Sequence, residues 1–335
     1  MNRMSVGSYD CTVVLPVYNE EHNIKDCLIG FSKHLNSNHQ LIIVDDGSTD
    51  NTAQITSRYI VEHDIKNFEL ITKTNSGAAK ARLEGIKIAK SEFIAFVDCD
   101  DAIDEETIER ALSEFINRPE IDLVLFDYYS IGGTNKATRF KYSINEWPIS
   151  GLDAFKNTID CWGIHAFGIY RKKIILDGYL EAFKLLSNAE NNINDDELIA
   201  RCSMLKSQQV MLSTGRYYYS DNPLSTTRRV NEKLYRMIYT ALVLKRLISS
   251  NINLHDLIPA VDLYILRVLT NLSLKHYKWR RVLCNYEYWS DGIAKGLSEI
   301  HFQNIVKSTY RKPTLLIWSI LKYVVLQVLY GCRSK

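Results

Sequence analysis

IIVDDGSTDNT, Ile42 to Thr52, ends an apolar run in two adjacent carboxylates and follows them at once with Gly, Ser and Thr. An ionised carboxylate is expensive to bury without partners, so a strand that ends this way is expected to open onto a cleft. The arrangement recurs in EFIAFVDCDD, Glu92 to Asp101, where an apolar run gives way to Asp98, Asp100 and Asp101. A third run, CTVVLPV from Cys11, leads into Tyr18, Asn19 and Glu20. Between these strands, EEHNIKDCLIGFSKHL places Ile24, Leu28, Phe31 and Leu35 on one helical face with Asn19 as N-cap. TAQITSRYIVEH predicts a second helix, FELIT a further strand and GAAKARLEGIKIAK a third helix. Short, continuously apolar strands separated by single helices predict a mostly parallel α/β sheet covered on both faces. Ligands of such sheets sit outside the carboxyl ends of the strands. Both acidic groups then fall on one open edge, together with Pro16, Tyr18 and Asn19.

The 335 residues, 46% hydrophobic and 24% charged, suit one large globular domain or two modest ones. A formal net charge of +2 supplies no overall attraction to nucleic acid, and no nucleic-acid partner is expected. The seven cysteines are scattered without C-x-x-C spacing, which argues against a disulfide framework or zinc site and for a reducing compartment. The N-terminus lacks the charged start and apolar core of a signal peptide, so a cytoplasmic location is expected.

After Asp101, TIERALSEFI reads as a helix, IDLVLFDYY as a strand and IGGTNKATR as a loop. Trp147 to Asn192 mixes aromatics with short helices, and a helix near Asn194 carries Leu198, Cys202 and Leu205 at core spacing. From Asn231 the chain reads mostly helical. The expected organisation is a domain over residues 1–230, in two halves at 1–102 and 103–230. A helical region at 231–335 follows, and its basic, apolar tail spans 307–335.

Three segments carry chemistry. In VDCDD, two carboxylates separated by one residue at a strand end can jointly hold a hard divalent cation and a ribose hydroxyl, or can be solvated loop acids. In TNSGAAKARLEG, Gly77 permits a tight turn into a helix whose stripe of Ala78, Ala81, Arg82 and Gly85 allows close approach to the sheet. Arg82 then points to the strand edge, toward acids or phosphates. In NINDDELIARC, Asn194 and Glu197 have capping-box spacing, and Asp195 and Asp196 occupy the first turn, where the helix dipole favours negative charge. Capping alone suffices to explain those acids.

Taken in order, TVVLPVYNEEHNIKDCL, LIIVDDGSTDNT, NSGAAKARLEGIKIAKSEFIAFVDCDD and NDDELIARC resemble the signature segments of family 2 glycosyltransferases, inverting enzymes with the GT-A, Rossmann-like fold. The resemblance is close over residues 10–102, looser to about 230, and fades beyond. It implies that Pro16 and Tyr18 lie along the base of a nucleotide donor with Glu20 nearby. It implies that Asp46 accepts a hydrogen bond from a uracil-like edge while Asp45 supports the turn. Arg82 would approach the nucleotide, Asp98 would hold the ribose, and Asp100, with Asp98 as a possible second ligand, would bind Mn²⁺ or Mg²⁺. Asp196 matches the catalytic base, although the family's preceding Glu is Asp195 here, which leaves Asp195 as the alternative. RYYYSDNPLSTTRR resembles the family's tyrosine-rich strand and its Ser/Arg segment, so Ser225, Arg228 and Arg229 would close over the diphosphate.

In CWGIHAFGIYRKKI, Trp162 suits stacking on an acceptor sugar and His165 suits a hydroxyl, or both are core residues. KPTLLIWSILKYVVLQVLYG, Lys312 to Gly331, is long enough to span a bilayer, yet Lys322 and Gln327 interrupt it. From His301 to Lys335 there is no Asp or Glu, while Lys307, Arg311, Lys312, Lys322, Arg333 and Lys335 all fall there. Ser319 and Lys322 suggest a polar stripe on a helix lying on the cytoplasmic face of an anionic membrane. A helix packed on its own domain or in a homo-oligomer is the other reading. The expected function is transfer of a sugar from a UDP-sugar to a glycan or a polyprenyl-diphosphate-linked acceptor in bacterial surface-polysaccharide synthesis (capsule, O-antigen or exopolysaccharide). Two rivals are a sugar-phosphate nucleotidyltransferase, whose glycine-rich N-terminal loop is missing from LPVYNEEHN, and a non-catalytic, membrane-docked nucleotide- or sugar-binding protein.

Overall fold

The computed structural model describes residues 9–116, 118–132, 136–186, 193–220 and 229–331. The chain forms two compact units, one of Met1–Phe155, Gly163–Glu181 and Ile199–Asn222, the other of Lys156–Trp162, Ala182–Leu198 and Pro223–Lys335. The sequence places its boundary near residue 230, whereas this division is discontinuous along the chain. Two upstream segments join the C-terminal unit, a feature that no composition shift announces.

The first unit opens with β1 (Cys11–Val17), α1 (Ile24–His34), β2 (His39–Asp45), α2 (Thr52–Glu62), β3 (Phe68–Thr72), α3 (Ala78–Ile88) and β4 (Phe93–Phe96). These four strands pair in parallel in the order β3-β2-β1-β4. Alternation along β1 sends Cys11, Val13, Leu15 and Val17 to one face, where they pack with Ile24, Leu28 and Phe31 of α1. The opposite face meets α3. A Cβ built on Gly85 would stand 2.5 Å from Val14 Cγ1, so only glycine lets α3 approach β1 and β2 this closely.

The N-cap of α1 is Asn23, not Asn19. Asn19 instead takes a left-handed conformation (φ 56°), and its side chain accepts the Thr49 N–H at 2.8 Å, so it ties the end of β1 to the turn after β2.

Beyond β4 the sheet becomes mixed. The chain continues through β5 (Ala102–Ile103), α4 (Thr107–Ser113), β6 (Ile121–Ile131), β7 (Ala137–Arg139), β8 (Ile149–Ser150), α5 (Gly151–Lys156), β9 (Gly168–Arg171), α6 (Lys172–Leu186), α7 (Asp195–Lys206) and β10 (Gln209–Ser220). Strand β9 runs antiparallel between β4 and β6, and β10 lies parallel to β6. The loop expected at IGGTNKATR contains β7, which pairs with β6, and the stretch of short helices contains β9 and the 15-residue α6. Four-residue β9 has too little length to announce a period of two.

The second unit is helical: α8 (Met237–Ser250), α9 (Ile258–Trp279), α10 (Tyr286–Ser298), α11 (Phe302–Thr309) and α12 (Pro313–Tyr330). Asp262 of α9, fully buried, lies 2.6 Å from Lys245 Nζ of α8 and accepts the His301 N–H at 3.0 Å and Asn304 Nδ2 at 2.8 Å. Among the described residues, two segments are long and apolar enough to cross a bilayer. Ile252–Trp279 is half buried and forms the core of this unit, whereas Pro313–Tyr330 is 17% buried. Helix α12 docks through Ser319, Leu326 and Tyr330, and the Tyr330 hydroxyl meets His276 Nδ1 at 3.1 Å. Ser319 therefore faces the bundle, and the stripe expected to pair it with Lys322 on one solvated face does not exist.

Candidate functional site

The carboxyl ends of β1, β2 and β4 lie side by side because the strands are adjacent and parallel. Tyr18, just past β1, is 45% exposed, and Pro16 within β1 is half-buried.

The pair at the end of β2 is buried and hydrogen-bonded. Asp45 accepts the Ser48 N–H at 3.2 Å and also the Ser48 hydroxyl, which closes the turn. Gly47 sits at φ 73°, and a Cβ there would come within 2.8 Å of Asn75 N, so the turn needs glycine on both counts. Asp46, 3% exposed, accepts Lys73 Nζ at 2.7 Å, Ser76 N–H at 3.0 Å and Gly77 N–H at 2.7 Å. One carboxylate thus anchors the whole loop that leads from β3 into α3, with Gly77 at φ 94° at its end. Lys73 carried no sequence expectation. Its signal was a lone cation placed by the register of β3 beside two strand-end acids, Asp45 pairing with Thr72.

The acids after β4 behave differently. Cys99 points into the core, and its thiol, held by a hydrogen bond to Cys27 and buried, is pushed far above the usual range. Asp98 and Asp100 flank it on the half-exposed side. Arg82 Nη2 of α3 donates to Asp98 Oδ1 at 2.5 Å. Asp101 accepts the Tyr217 hydroxyl and the Ser220 N–H at 2.9 Å, contacts that β5 arranges by pairing with the end of β10. Burial, opposed by the Tyr217 hydrogen bond and reinforced by the charges of Asp98 and Asp100, pushes Asp101 up to about 7. Glu20 is also raised, chiefly by burial and then by Asp100, Asp50 and Asp98, against the Asn23 hydrogen bond. Glu20, Asp98, Asp100 and Asp101 therefore form one self-repelling acidic group beside Arg82.

Among the described residues no set of three or more His, Cys, Asp or Glu side chains is gathered to enclose a metal on its own. One or two carboxylates completed by phosphate oxygens and water is the usual way to hold Mg²⁺. Asp98 and Asp100 fit that mode, and their repulsion with Glu20 and Asp101 favours a cation.

Asp195 and Asp196 open α7 in the second unit; Asp196 is exposed and Asp195 half-buried. The capping-box pair meets through side chains, with Asn194 Nδ2 donating to Glu197 Oε1 at 3.1 Å, while Asp196 Oδ1 accepts the Glu197 N–H at 3.0 Å. Trp162 is half-buried and Arg229 exposed, both in the second unit, and Ser225 and Arg228 lie outside the described residues. His165 is buried among Tyr128, Phe140, Tyr142 and Phe167. The Phe167 N–H donates to Nδ1 at 3.2 Å, so Nε2 carries the proton and faces the Tyr142 hydroxyl at 2.9 Å. With both nitrogens engaged, the ring is a core histidine and offers no atom to a sugar hydroxyl.

Comparison with known proteins bears on the family and the fold. The family described as Glycosyl transferase family 2 matches residues 12–178. Glycosyltransferase GlyG of Streptococcus pneumoniae is 35% identical over 119 residues, which cover 36% of this chain and 39% of that protein. The poly(ribitol-phosphate) beta-N-acetylglucosaminyltransferase TarS of Staphylococcus aureus is 29% identical over 214 residues, 62% of this chain and 35% of that protein. The chain thus spans well under half the length of either relative. The crystal structure of S. aureus TarS 1-349 has the same fold, with a TM-score of 0.61 at 21% identity over 95% of this chain and 88% of that one. The structure of TarS 1-349 in complex with UDP-GlcNAc matches with a TM-score of 0.61 at 20% identity, over 95% of this chain and 89% of that one. A strand-end acidic edge on the parallel half of a mixed GT-A sheet, matched by family and by fold, places the chain in glycosyltransferase family 2.

Proposed function

We propose that this protein transfers a sugar, with inversion, from a UDP-sugar to a hydroxyl of a glycan or lipid-linked acceptor in the synthesis of a bacterial surface polymer. The observation that carries the reading is the self-repelling group of Glu20, Asp98, Asp100 and Asp101 beside Arg82, at the edge where the exposed ring of Tyr18 stands. TarS structures with UDP-GlcNAc and with UDP support a uridine nucleotide, and the poly(ribitol-phosphate) named for TarS supports a polymer acceptor.

In this reading Pro16 and Tyr18 pack along the base, Asp98 holds the ribose, and Asp98 and Asp100 hold Mn²⁺ or Mg²⁺. The ion, when bound, neutralises charge on the diphosphate. Arg82 supplies a second positive charge toward the leaving group. A carboxylate offers about four acceptor sites, so Asp46, which accepts from Lys73, Ser76 and Gly77, organises the rim and is assigned the uracil-like edge of the base as well. Asp196, the exposed member of its pair, takes the proton of the acceptor hydroxyl as that oxygen attacks the anomeric carbon and the nucleoside diphosphate departs. Arg229, with Ser225 and Arg228, is assigned to the diphosphate, and Trp162 to the acceptor.

Calorimetric titration with UDP, GDP and CDP, with and without Mn²⁺, tests the donor half. Metal-dependent binding of UDP that Asp100→Ala abolishes is expected, and metal-independent binding unchanged in that variant would refute the ligand assignment. For the base, Asp196→Asn is expected to abolish transfer while donor affinity stays within a few-fold. Undiminished turnover would remove Asp196 from the mechanism.

A further inference from the structure

Helix α12 is built against the usual sense of a surface helix. Its bundle side carries Ser319, Leu326 and Tyr330, while Ile317, Trp318, Leu321, Val324, Val328 and Leu329 are all exposed, Val328 to 76%. At 100° per residue these six cover roughly 140° of arc, and Lys322 stands just beyond one end of it. A lysine at the margin of an apolar face can lay its stem on that face and lift its ammonium to the polar side. Trp318, with its polar N–H, suits a boundary between apolar and wet phases.

A continuous apolar face of this size on a soluble protein marks an interaction surface, and local charge decides among occupants. From His301 to Lys335 the chain holds six Lys or Arg and no Asp or Glu, although the whole chain carries only +2. Lys307, Arg311, Lys312 and Lys322 are exposed on and beside α12. A second copy would bring the same positive charge against itself. A bilayer containing anionic lipid offers an apolar phase for the arc and negative headgroups for the rim. Because α12 is held to the bundle through Ser319, Leu326 and Tyr330, it lies along such a surface without crossing it.

We infer that the outward face of α12 docks this protein on an anionic membrane surface, a property independent of the donor chemistry proposed above.

The test is flotation of the full chain with vesicles of phosphatidylcholine alone or mixed with phosphatidylglycerol, at low and high salt. Binding to the anionic vesicles is expected to exceed binding to the neutral ones about tenfold or more, and to weaken with salt. The double variant Leu321→Glu/Val328→Glu is expected to lose flotation. Because both sites are exposed, its thermal transition should match that of the parent. Arg311→Glu/Lys312→Glu should lose the preference for anionic lipid and retain the fold. Three results would overturn the inference: failure of the parent to float, binding that survives alkaline carbonate as a spanning helix would, or a dimer in sedimentation that Leu321→Glu/Val328→Glu dissociates while the parent ignores vesicles.

Discussion

Replacing His165 with asparagine should flatten the pH dependence of stability, and the structure sets both sign and size. The imidazole is 5% exposed, Nδ1 accepts the Phe167 N–H, and burial pushes the ring down to about 3. In the unfolded chain the same ring titrates near ~6.5. Between these values the unfolded state binds a proton that the folded state refuses, so stability is lost as pH falls below the unfolded value. From pH ~7 to pH ~5 that loss amounts to about 2 kcal/mol for this one residue. The amide of the His165→Asn variant cannot titrate, and its carbonyl can still accept from Phe167. The variant loses the contact to Tyr142, a cost of about 1 kcal/mol at neutral pH, but that cost is the same at both pH values. Urea unfolding of parent and variant at the two pH values isolates the term, because every other titrating group is common to both. The expected result is a fall on acidification smaller in the variant by about 2 kcal/mol. Identical pH dependence would show that the folded ring accepts a proton freely, and with it that the buried neutral tautomer is wrong.

Other expectations follow from packing and pairing. Gly85→Val should destabilise the first unit by about 1–3 kcal/mol, because a Cβ meets Val14 Cγ1 at 2.5 Å, and an unshifted melting temperature would show that α3 can slide off the sheet. Lys73→Met leaves the Asp46 carboxylate buried without its counter-charge, at a cost of about 3 kcal/mol. Asp46→Asn in that background should recover part of the loss in a double-mutant cycle, and strict additivity would deny the pairing. Asp262→Ala leaves the Lys245 ammonium without its counter-charge and the His301 N–H without its acceptor, and should cost the helical unit about 3–5 kcal/mol in chemical denaturation. Asp262→Leu with Lys245→Met should be far milder, and an equal loss would place the effect in packing alone.

The parallel half of the sheet was legible because each of β1 to β4 is a short apolar run and each intervening helix keeps one apolar face. The mixed half was not. The 15 residues of α6 begin directly after four-residue β9, so neither has room for a flanking signal, and two segments upstream of residue 200 join the helical unit through contacts distant in sequence. At the candidate site the acids stood out and their partners did not. Lys73 reaches Asp46 across 27 residues, and Tyr217 reaches Asp101 across 116, pairings that exist only once β2 lies beside β3 and β5 beside β10. Asn19 was misplaced for a related reason: its side chain serves Thr49, 30 residues away, instead of the nearest helix.

Asp45-Asp46 and Asp98 to Asp101 look alike in sequence, each a cluster of carboxylates after an apolar strand, and the fold gives them opposite electrostatic states. The first pair is engaged by Ser48, Lys73 and two further backbone N–H groups, and so holds a turn and a loop in place. The second cluster has Arg82 as counter-charge for Asp98, while the Tyr217 hydroxyl and Ser220 N–H do not keep Asp101 from rising to about 7. A folded chain tolerates such repulsion when something outside it supplies positive charge, and a cation between these acids and a diphosphate would do so. The acidic strand end that opens the sequence thus organises the rim, and the acids after the fourth strand are the ones that repel one another. It follows that neutralising Asp46, which anchors the β3–α3 loop through Lys73, Ser76 and Gly77, should cost more stability than neutralising half-exposed Asp100, whose charge raises Glu20 and Asp101. A thermal melt of Asp100→Asn beside Asp46→Asn separates the two roles, and a larger loss of stability in the first than in the second would reverse the assignment.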